Sequence, residues 1–326
     1  MSYNRDNFVR IKNEYLDRNR RAREEAEARA SEINNLFPEI REINNEIAGY
    51  GLRCLEAAQK FSGEKLESEL FRLKKRTEEL TAKKARLLAE KGYPSDYDFV
   101  KYKCAKCSDT GFCGINMCDC MKQELIKAGI DSSGISALFE KMNFDTFSPN
   151  YYDSDNLQKE QIESVFSYCK NYADSFNCNS ENLLFVGGTG VGKTHLSVAI
   201  AKEVTEKGYD VVFKSAQDLI SDFEFERFHK SYSDVSPAKT DKYYECDLLI
   251  IDDLGSEMTN QFTVSCVLSL MNSRINSGKP TIISTNMTPD KFKTYDERIA
   301  SRLNDFTPFL LHGKDIRSLR RDKWRK

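Results

Sequence analysis

The feature that most constrains the fold of this chain is an eight-residue run that begins at Gly187 and ends at Thr194, GGTGVGKT. It satisfies every position of the phosphate-binding P-loop pattern, follows the apolar stretch 183–186 and precedes the helix-forming stretch 195–206. Glycines let backbone N–H groups turn inward around phosphates, and the N-terminus of the following helix adds partial positive charge. The run therefore predicts a nucleotide-phosphate site between a strand and a helix. A simple glycine turn before a helix would not need the full pattern in this context.

Each residue of this loop is expected to contact ATP. The Lys193 ammonium can reach the β- and γ-phosphates, and the Thr194 hydroxyl can bind Mg²⁺. The residues expected to hold the nucleotide are Gly187, Gly188, Thr189, Gly190, Val191, Gly192, Lys193 and Thr194.

Polar residues that follow two further apolar runs are expected to complete this site. The run 248–251 leads into Asp252 and Asp253, in the form of a Walker B strand. Asp252 is expected to hold Mg²⁺ through its water shell, and Asp253 to orient or deprotonate the attacking water. Many such ATPases carry Glu at the second position, so the shorter Asp predicts slow hydrolysis. Asn286 ends a third apolar run, from where its amide can sense the γ-phosphate.

The second half of the chain alternates between strand-sized and helix-sized stretches. Short apolar runs occupy residues 183–186, 211–213, 248–251, 281–284 and 309–311. This alternation predicts an α/β fold, in which helices flank a parallel five-stranded sheet.

The first 92 residues are rich in Glu, Arg, Lys and Asn, with apolar residues at helical spacing. Pro38 can begin a second helix, and Leu52 and Leu55 are expected to continue its apolar stripe. After the break at Ser62 and Gly63, leucines from Leu66 to Leu87 follow a heptad pattern. The pattern predicts two or three long helices in a hairpin or bundle. A solvated coiled coil and a docking arm for a partner protein both remain open for this segment.

Two closely spaced cysteine pairs indicate a metal site. Cys104 and Cys107 form a CxxC pair, and Cys118 and Cys120 form a CxC pair ten residues further on. Four thiols on a short loop suit structural Zn²⁺, with Cys113 as an alternative ligand. A thioredoxin-like redox site would need a preceding strand and a following helix, which the sequence lacks. The other five cysteines are isolated and are interpreted as packing residues.

Charge and hydropathy exclude several other classes of protein. The net charge is −2, so contacts to nucleic acid must come from local patches. No apolar run approaches the ~18 residues of a membrane span, and the first residues carry charges instead of an apolar signal core. We therefore expect a cytoplasmic protein with reduced thiols and no membrane partner.

With these motifs in order, residues 182–317 resemble the AAA+ ATPases of the DnaC/DnaI helicase-loader and IstB transposition-helper group. The motifs that carry the resemblance are NLLFVGGTGVGKTHL from Asn182, LLIIDDLGSE from Leu248, TIISTN from Thr281, RIASRL from Arg298 and GKDIR from Gly313. The stretch YKCAKCSDTGF from Tyr102 and the CDC at Cys118 are similar to the zinc-bearing region of DnaC-like proteins. IstB-type helpers usually lack this region, which favours a loader.

The resemblance implies a role for each matching residue. Asp252 and Asp253 are Walker B and Asn286 is sensor 1. Arg302 matches the arginine finger, with Arg298 as the alternative, and Arg317 matches sensor 2. The resemblance also places a helical insertion at residues 218–233. Its aromatic and basic residues, among them Phe225, Arg227, Phe228 and Lys230, suit single-stranded DNA, and an ordinary amphipathic helix remains the alternative.

These inferences combine into one expected organisation and function. The domains are a helical arm (1–95), a zinc module (96–125), a connector (126–180) and an AAA+ ATPase domain (181–326). The implied function is the loading of a hexameric replicative DNA helicase, controlled by ATP, Mg²⁺ and self-association of the ATPase domains. Three alternatives remain open: an ATPase helper of a transposase, a small-molecule phosphotransferase, and a zinc–coiled-coil protein in which ATP is structural.

Overall fold

The chain is described by a computed structural model over residues 3–152, 156–229, 239–258, 260–288, 291–292 and 296–318. It divides into two compact units, which we call the helical unit (residues 12–120) and the sheet unit (residues 1–11 with 121–326). Within the described residues, no helix combines the length and the apolar character that a membrane span needs. The domain boundaries expected from sequence remain a proposal.

Four helices and a two-stranded hairpin account for most of the helical unit. They are α1 (Arg5–Leu36, which starts in the sheet unit), α2 (Pro38–Ala48), α3 (Tyr50–Lys60), α4 (Glu64–Glu90), β1 (Phe112–Cys113) and β2 (Asn116–Met117). Pro38 begins α2, where its missing N–H and fixed φ are tolerated. Helices α2 and α3 both pack against α4. The predicted helices are therefore present, divided into four instead of two or three.

One detail of the predicted apolar stripes is wrong. Leu52 and Leu55 are each 64% exposed, because the helix breaks at Gly49 and α3 instead buries Ala57. Near the end of α4, Leu87 of the heptad pattern is half-buried and packs against the core that contains the fully buried Leu88. A regular α-helix advances 3.6 residues per turn and drifts away from a strict 3.5-residue repeat.

The sheet unit is built on five parallel strands. They are β3 (Leu183–Gly187), β4 (Val211–Ser215), β5 (Leu248–Leu254), β6 (Thr281–Thr285) and β7 (Thr307–Leu311), in the spatial order β4-β5-β6-β3-β7. The five-stranded parallel sheet predicted from sequence is therefore confirmed. Because β6 lies between β3 and β5, the phosphate-loop strand and the acidic strand are separated by one strand, which ends next to Asn286.

Helices cover both faces of this sheet. The helices of the unit are α5 (Asp119–Ser132, which starts in the helical unit), α6 (Ser136–Phe139), a 3₁₀ turn (Pro149–Tyr152), α7 (Asn156–Ser175), α8 (Lys193–Glu206), α9 (Ala216–His229), α10 (Asp241–Glu245), α11 (Gln261–Asn276) and α12 (Glu297–Leu303). Alternate residues of β3 enter different cores, since Leu183 and Phe185 pack with α7 and α8, whereas Leu184 and Val186 pack with α9 and α11. Strands buried on both faces read as continuous apolar runs, which is why the sequence located them well.

A buried arginine joins α11 to the loops at one end of the sheet. Arg274 is 1% exposed, and its guanidinium donates to the carbonyls of Tyr243 (2.9 Å), Cys246 (3.0 Å) and Pro280 (2.7 Å) and to the Thr281 hydroxyl (2.9 Å). Burial lowers its pKa. Five donors in a rigid fork allow one side chain to satisfy several backbone carbonyls together.

Candidate active site

The phosphate loop lies at the carboxyl end of β3 and leads directly into α8. Gly190 and Gly192 have φ of 76° and 93°, a region that favours glycine. Lys193 is the first residue of α8, so the loop delivers it to the helix N-terminus, as the sequence predicts. Backbone N–H groups and the end of the helix dipole therefore face the same point, which suits an anion.

The Lys193 side chain is buried in this loop. Its ammonium donates to the carbonyls of Gly187 (2.8 Å) and Gly188 (2.7 Å) and to the side-chain oxygen of Asn286 (2.6 Å). Burial lowers the pKa of Lys193, and the carboxylates of Asp253 and Asp252 act in the opposite direction. The ammonium is thus held at the point where the β- and γ-phosphates of a nucleotide would approach.

Thr194 and Asp252 lie together and offer oxygen ligands. The Thr194 hydroxyl is 2.9 Å from one carboxylate oxygen of Asp252 and 3.1 Å from the other. Burial raises the pKa of Asp252, and hydrogen bonds from Ser284 and Thr194 oppose the rise. Neighbouring ligands of an octahedral Mg²⁺ at 2.1 Å are about 2.9–3.0 Å apart, so this pair fits the ion.

Asp253 is brought to Asn286 by an unusual backbone conformation. Its φ is 60°, in the left-handed region that few residues other than glycine adopt. Its carboxylate accepts a hydrogen bond from the Asn286 side-chain nitrogen at 2.6 Å. Asn286 therefore bridges Asp253 and Lys193, so that the three predicted strand-end elements converge on one point.

Sequence reasoning missed the wall that closes the pocket on the other side. Met142, Phe147, Tyr151 and Ile316 line the same pocket as the phosphate loop and the two carboxylates. Tyr152 supports this wall from behind, since its buried hydroxyl donates to the carbonyl of Val191 at 2.6 Å. An apolar wall beside a phosphate site suits a nucleotide base.

A histidine ties this wall to the phosphate loop. His195 follows Thr194 on α8, and its Nε2 atom lies 2.9 Å from the carbonyl oxygen of Asn143 and 3.3 Å from the Thr146 hydroxyl. The ring also packs edge-on against Phe147. His195 therefore packs at the rim of the nucleotide pocket.

The three arginines named from sequence have different surroundings. Arg317 lines the pocket, whereas Arg298 and Arg302 are not among its lining residues. Arg298 is paired with Asp296, the N-cap residue of α12, at 3.0 Å. Arg302 is exposed and donates to the Asn272 side chain at 2.6 Å. Neither α12 arginine reaches the pocket of its own chain, as an arginine that acts on a neighbouring subunit requires.

Four thiols of the helical unit form a compact cluster. The sulfurs of Cys104, Cys107, Cys118 and Cys120 all lie within 4.8 Å of one another, with the Cys107–Cys120 pair at 3.6 Å. Tetrahedral Zn–S bonds of about 2.3 Å place the sulfurs about 3.8 Å apart, so the set fits Zn²⁺. The cluster leaves out Cys113, whose thiol instead points to the Lys106 carbonyl at 3.5 Å.

The loop between the thiol pairs is shaped by a buried carboxylate. Asp109 is 1% exposed and accepts hydrogen bonds from the backbone N–H groups of Lys103 (2.7 Å) and Cys104 (2.8 Å). The backbone N–H of Cys120 lowers the pKa of Cys118 to about 7, which favours the thiolate. All ten cysteines are free, and the five outside the loop include the buried Cys169 and Cys246 as well as the exposed Cys178.

The predicted DNA segment is described in part. Phe225 and Phe228 of α9 are 46% and 74% exposed, and Arg227 lies over the rings of Phe228 (5.6 Å) and Phe262 (4.8 Å). Lys239 lies 4.3 Å over the ring of Phe225. The described surface thus combines aromatic rings with cations, while Lys230 lies outside the described residues.

The sheet order, the phosphate loop and the paired strand-end acids define an ATP-binding domain of the AAA+ class. The family model for the IstB-like ATP binding protein matches residues 141–326, and the chain belongs to that family.

Several known proteins are similar to parts of the chain. The phage-like element PBSX protein XkdC of Bacillus subtilis is 26% identical over 244 residues, which cover 69% of this chain and 86% of XkdC. The replicative helicase loader DnaC of Escherichia coli K12 is 25% identical over 172 residues, or 52% of this chain and 66% of DnaC. A crystal structure of the DnaC helicase loader covers 53% of this chain and 98% of its own, with 24% identity and a TM-score of 0.45.

Proposed function

We propose that this protein is an ATP-dependent loader of a replicative DNA helicase. The observation that carries the proposal is the four-thiol cluster of the helical unit, present in a chain that also has an IstB-like ATP-binding domain. Helper ATPases of the IstB type usually lack such a cysteine region. The similarity to DnaC, a replicative helicase loader, supports the same assignment.

The ATPase step of this proposal uses the residues that converge at the sheet. Lys193 binds the β- and γ-phosphates, while Thr194 and Asp252 hold Mg²⁺, which neutralises charge on the phosphates when bound. Asp253 orients the attacking water or accepts its proton. Asn286 contacts the γ-phosphate and couples it to Lys193 and Asp253. The Asp253 side chain is shorter than the Glu found at this position in many such ATPases, so its carboxylate lies further from the attacking water. We therefore expect slow ATP turnover, as in a protein that acts as a switch.

Self-association completes the site in this proposal. Arg302 is exposed and outside the pocket of its own chain, and it can exchange its hydrogen bond to Asn272 for the γ-phosphate held by a neighbouring subunit. Arg317 acts within the chain, at the edge of the pocket. ATP binding would then favour the assembled state, because only that state adds the Arg302 guanidinium of a neighbour to the site.

Single-stranded DNA is the proposed ligand of the surface formed by Phe225, Phe228, Arg227 and Lys239. Exposed aromatic rings stack on bases and the cations contact phosphates, without a need for a particular sequence. The helical unit, with its four-thiol cluster, is the proposed docking module for the helicase. ATP hydrolysis on DNA would then release the helicase there.

A helper of a transposase is the second candidate. The observation that favours it is the family model itself, whose description is that of an IstB-like ATP binding protein. Such a helper would share the nucleotide site and DNA contacts but would dock a transposase through the rest of the chain.

Co-purification with full-length bait proteins tests the two candidates. The full-length chain is mixed, with and without ATP, with the replicative helicase of its own source or with a transposase from the same genome. We expect capture of the helicase. Capture should weaken in a Cys107→Ser, Cys118→Ser double variant and persist in Cys113→Ser, the matched thiol outside the cluster.

The other outcomes separate the parts of the proposal. Capture of the transposase instead of the helicase would establish the second candidate. Capture of neither would refute loading, while the ATPase assignment would still be judged by Mg²⁺-dependent ATP turnover. Turnover should be lost in Lys193→Ala and kept in Lys202→Ala, a lysine of α8 that pairs with Glu206 at the surface.

A further inference from the structure

Ser284 of β6 lies between the two acids of the nucleotide site. Its hydroxyl donates to a carboxylate oxygen of Asp252 at 2.5 Å and accepts from the backbone N–H of Asp253 at 2.9 Å. The side chain is fully buried. One small hydroxyl therefore contacts the side chain of one acid and the backbone of the next.

This contact depends on a bulge between β5 and β6. Ile251 lies opposite Ile283 and Leu254 opposite Thr285, so two residues of β5 oppose Ser284 alone. An extra residue in a bulge leaves the hydrogen-bond ladder and bends the strand locally. The N–H of the extra residue Asp253 donates to the Ser284 hydroxyl in place of a ladder carbonyl.

The bulge also decides where the Asp253 carboxylate points. In a regular strand, Asp252 and Asp253 would project from opposite faces of the sheet. With φ at 60°, Asp253 instead turns its carboxylate to Asn286, in the same pocket as Asp252. A left-handed conformation in a residue with a side chain costs free energy and persists only where neighbours hold it. The hydrogen bond from the Asp253 N–H to the Ser284 hydroxyl is one contact that stabilises this conformation.

We infer that Ser284 is a positioning residue of this site, whose hydroxyl fixes the Asp252 carboxylate toward Mg²⁺ and holds the Asp253 backbone in the turned conformation. The inference deepens the proposed ATPase function and rests on it for the role of the two acids. Ser284 acts through the two acids, to which its hydroxyl is hydrogen-bonded.

The neighbouring residue provides a matched control. Thr285 is also fully buried on β6, and its hydroxyl donates to the Leu254 carbonyl at 2.7 Å and accepts from the N–H of Met287 at 3.0 Å. It therefore lies beside the bulge, and its described hydrogen bonds are to the backbone of residues other than Asp252 and Asp253. Thr285→Ala therefore measures how much the removal of any buried hydroxyl from β6 changes nucleotide binding.

The test measures how much Mg²⁺ improves the binding of a non-hydrolysable ATP analogue to the full-length protein. Affinity is titrated with Mg²⁺ and with EDTA for the wild type, Ser284→Ala, Ser284→Thr and Thr285→Ala. Because the hydrogen bond is made to a charged group, we expect Ser284→Ala to lose about tenfold or more of the Mg²⁺-dependent gain, with little change in EDTA. Ser284→Thr keeps a hydroxyl and should recover most of the gain, and Thr285→Ala should stay near the wild type.

The outcomes against the inference are specific. An unchanged gain in Ser284→Ala, or an equal loss in Thr285→Ala, would overturn it. If Ser284→Ala does not fold, Ser284→Cys decides instead, because a thiol of similar size is only a weak donor; an unchanged gain in folded Ser284→Cys would overturn the inference. The analogue is not hydrolysed, so a wild type that binds it with Mg²⁺ yet never turns over ATP would refute the proposed ATPase without affecting this measurement.

Discussion

The Lys193 ammonium donates to the side-chain oxygen of Asn286 across 2.6 Å. The same amide donates through its nitrogen to Asp253, also at 2.6 Å. A γ-phosphate that binds Lys193 must therefore compete with Asn286 for the ammonium. A shift of the Asn286 amide would also alter its hydrogen bond to Asp253, the residue proposed to orient water. The phosphate-binding and water-orienting groups are coupled through one amide.

Asn286→Ala should reduce ATP turnover by about tenfold or more, since transition-state contacts are lost while most of the phosphate contacts remain. Nucleotide affinity should change by less than about threefold, which is under 1 kcal/mol. Steady-state turnover and direct nucleotide binding check the two quantities. A matched loss of affinity and turnover would indicate that Asn286 serves only to hold Lys193.

Arg302→Ala should lower turnover by about 100-fold or more with nucleotide affinity nearly unchanged, as for an arginine finger. Arg298→Ala is the control, because that guanidinium is already paired with Asp296. Mixing Arg302→Ala with Lys193→Ala should restore part of the activity, since the second variant still offers Arg302 to an intact neighbouring site. Failure of the mixture to recover, or a similar loss in Arg298→Ala, would contradict the assignment.

One zinc ion per chain is expected for the wild type, as measured by elemental analysis. Cys107→Ser and Cys118→Ser should each lower the bound zinc well below one equivalent, because a structural site needs four ligands. Cys113→Ser should keep it, because Cys113 lies outside the cluster of four sulfurs. Zinc loss in Cys113→Ser of the same size would mean that the metal selects a different ligand set.

Arg274→Ala should destabilise the sheet unit by about 3 kcal/mol or more, since several buried carbonyls lose their donor and the guanidinium leaves a cavity. A urea titration measures the free energy of unfolding of the sheet unit. Arg298→Ala removes an exposed guanidinium and should stay within about 0.5 kcal/mol of the wild type. Equal stability of the two variants would show that water replaces the lost contacts.

Asp210 makes stability depend on pH. Burial raises its pKa to about 6, a hydrogen bond from Asn4 opposes the rise, and Asp247 and Asp6 add to it. Since the folded pKa exceeds the unfolded value, this carboxyl favours the folded state below pH ~4, and the benefit is lost as pH rises through ~6.

Asp210→Asn remains neutral at every pH. Its free energy of unfolding, measured relative to the wild type, should therefore increase by about 1–2 kcal/mol as the pH rises from 4 to 7.5. Urea unfolding at both pH values measures the gain, and the exposed Asp305→Asn supplies the control for a change of net charge. A gain that does not grow with pH would contradict the raised pKa.

The sequence predicted the sheet and the polar ends of its strands because buried parallel strands and a phosphate loop leave strong local patterns. Lys193, Asp252 and Asn286 all follow such patterns. The wall of Met142, Phe147 and Tyr151 leaves no comparable signal, since it reaches the loop from some 40 residues upstream. Ser284 was likewise out of reach, because its contacts arise from a bulge that is set by the register of two strands.

The glycines of the phosphate loop have neighbours of their own within the protein. A side chain added at Gly187 would meet the Leu311 carbonyl, at Gly190 the Asp315 carboxylate, and at Gly192 the Tyr152 hydroxyl. The loop is therefore a junction of the last strand, the segment after it and the 3₁₀ turn before α7. Transplanting these eight residues onto another strand and helix would carry over the phosphate pattern without the three surfaces that hold its shape. An engineered nucleotide site of this type would need to import them as well.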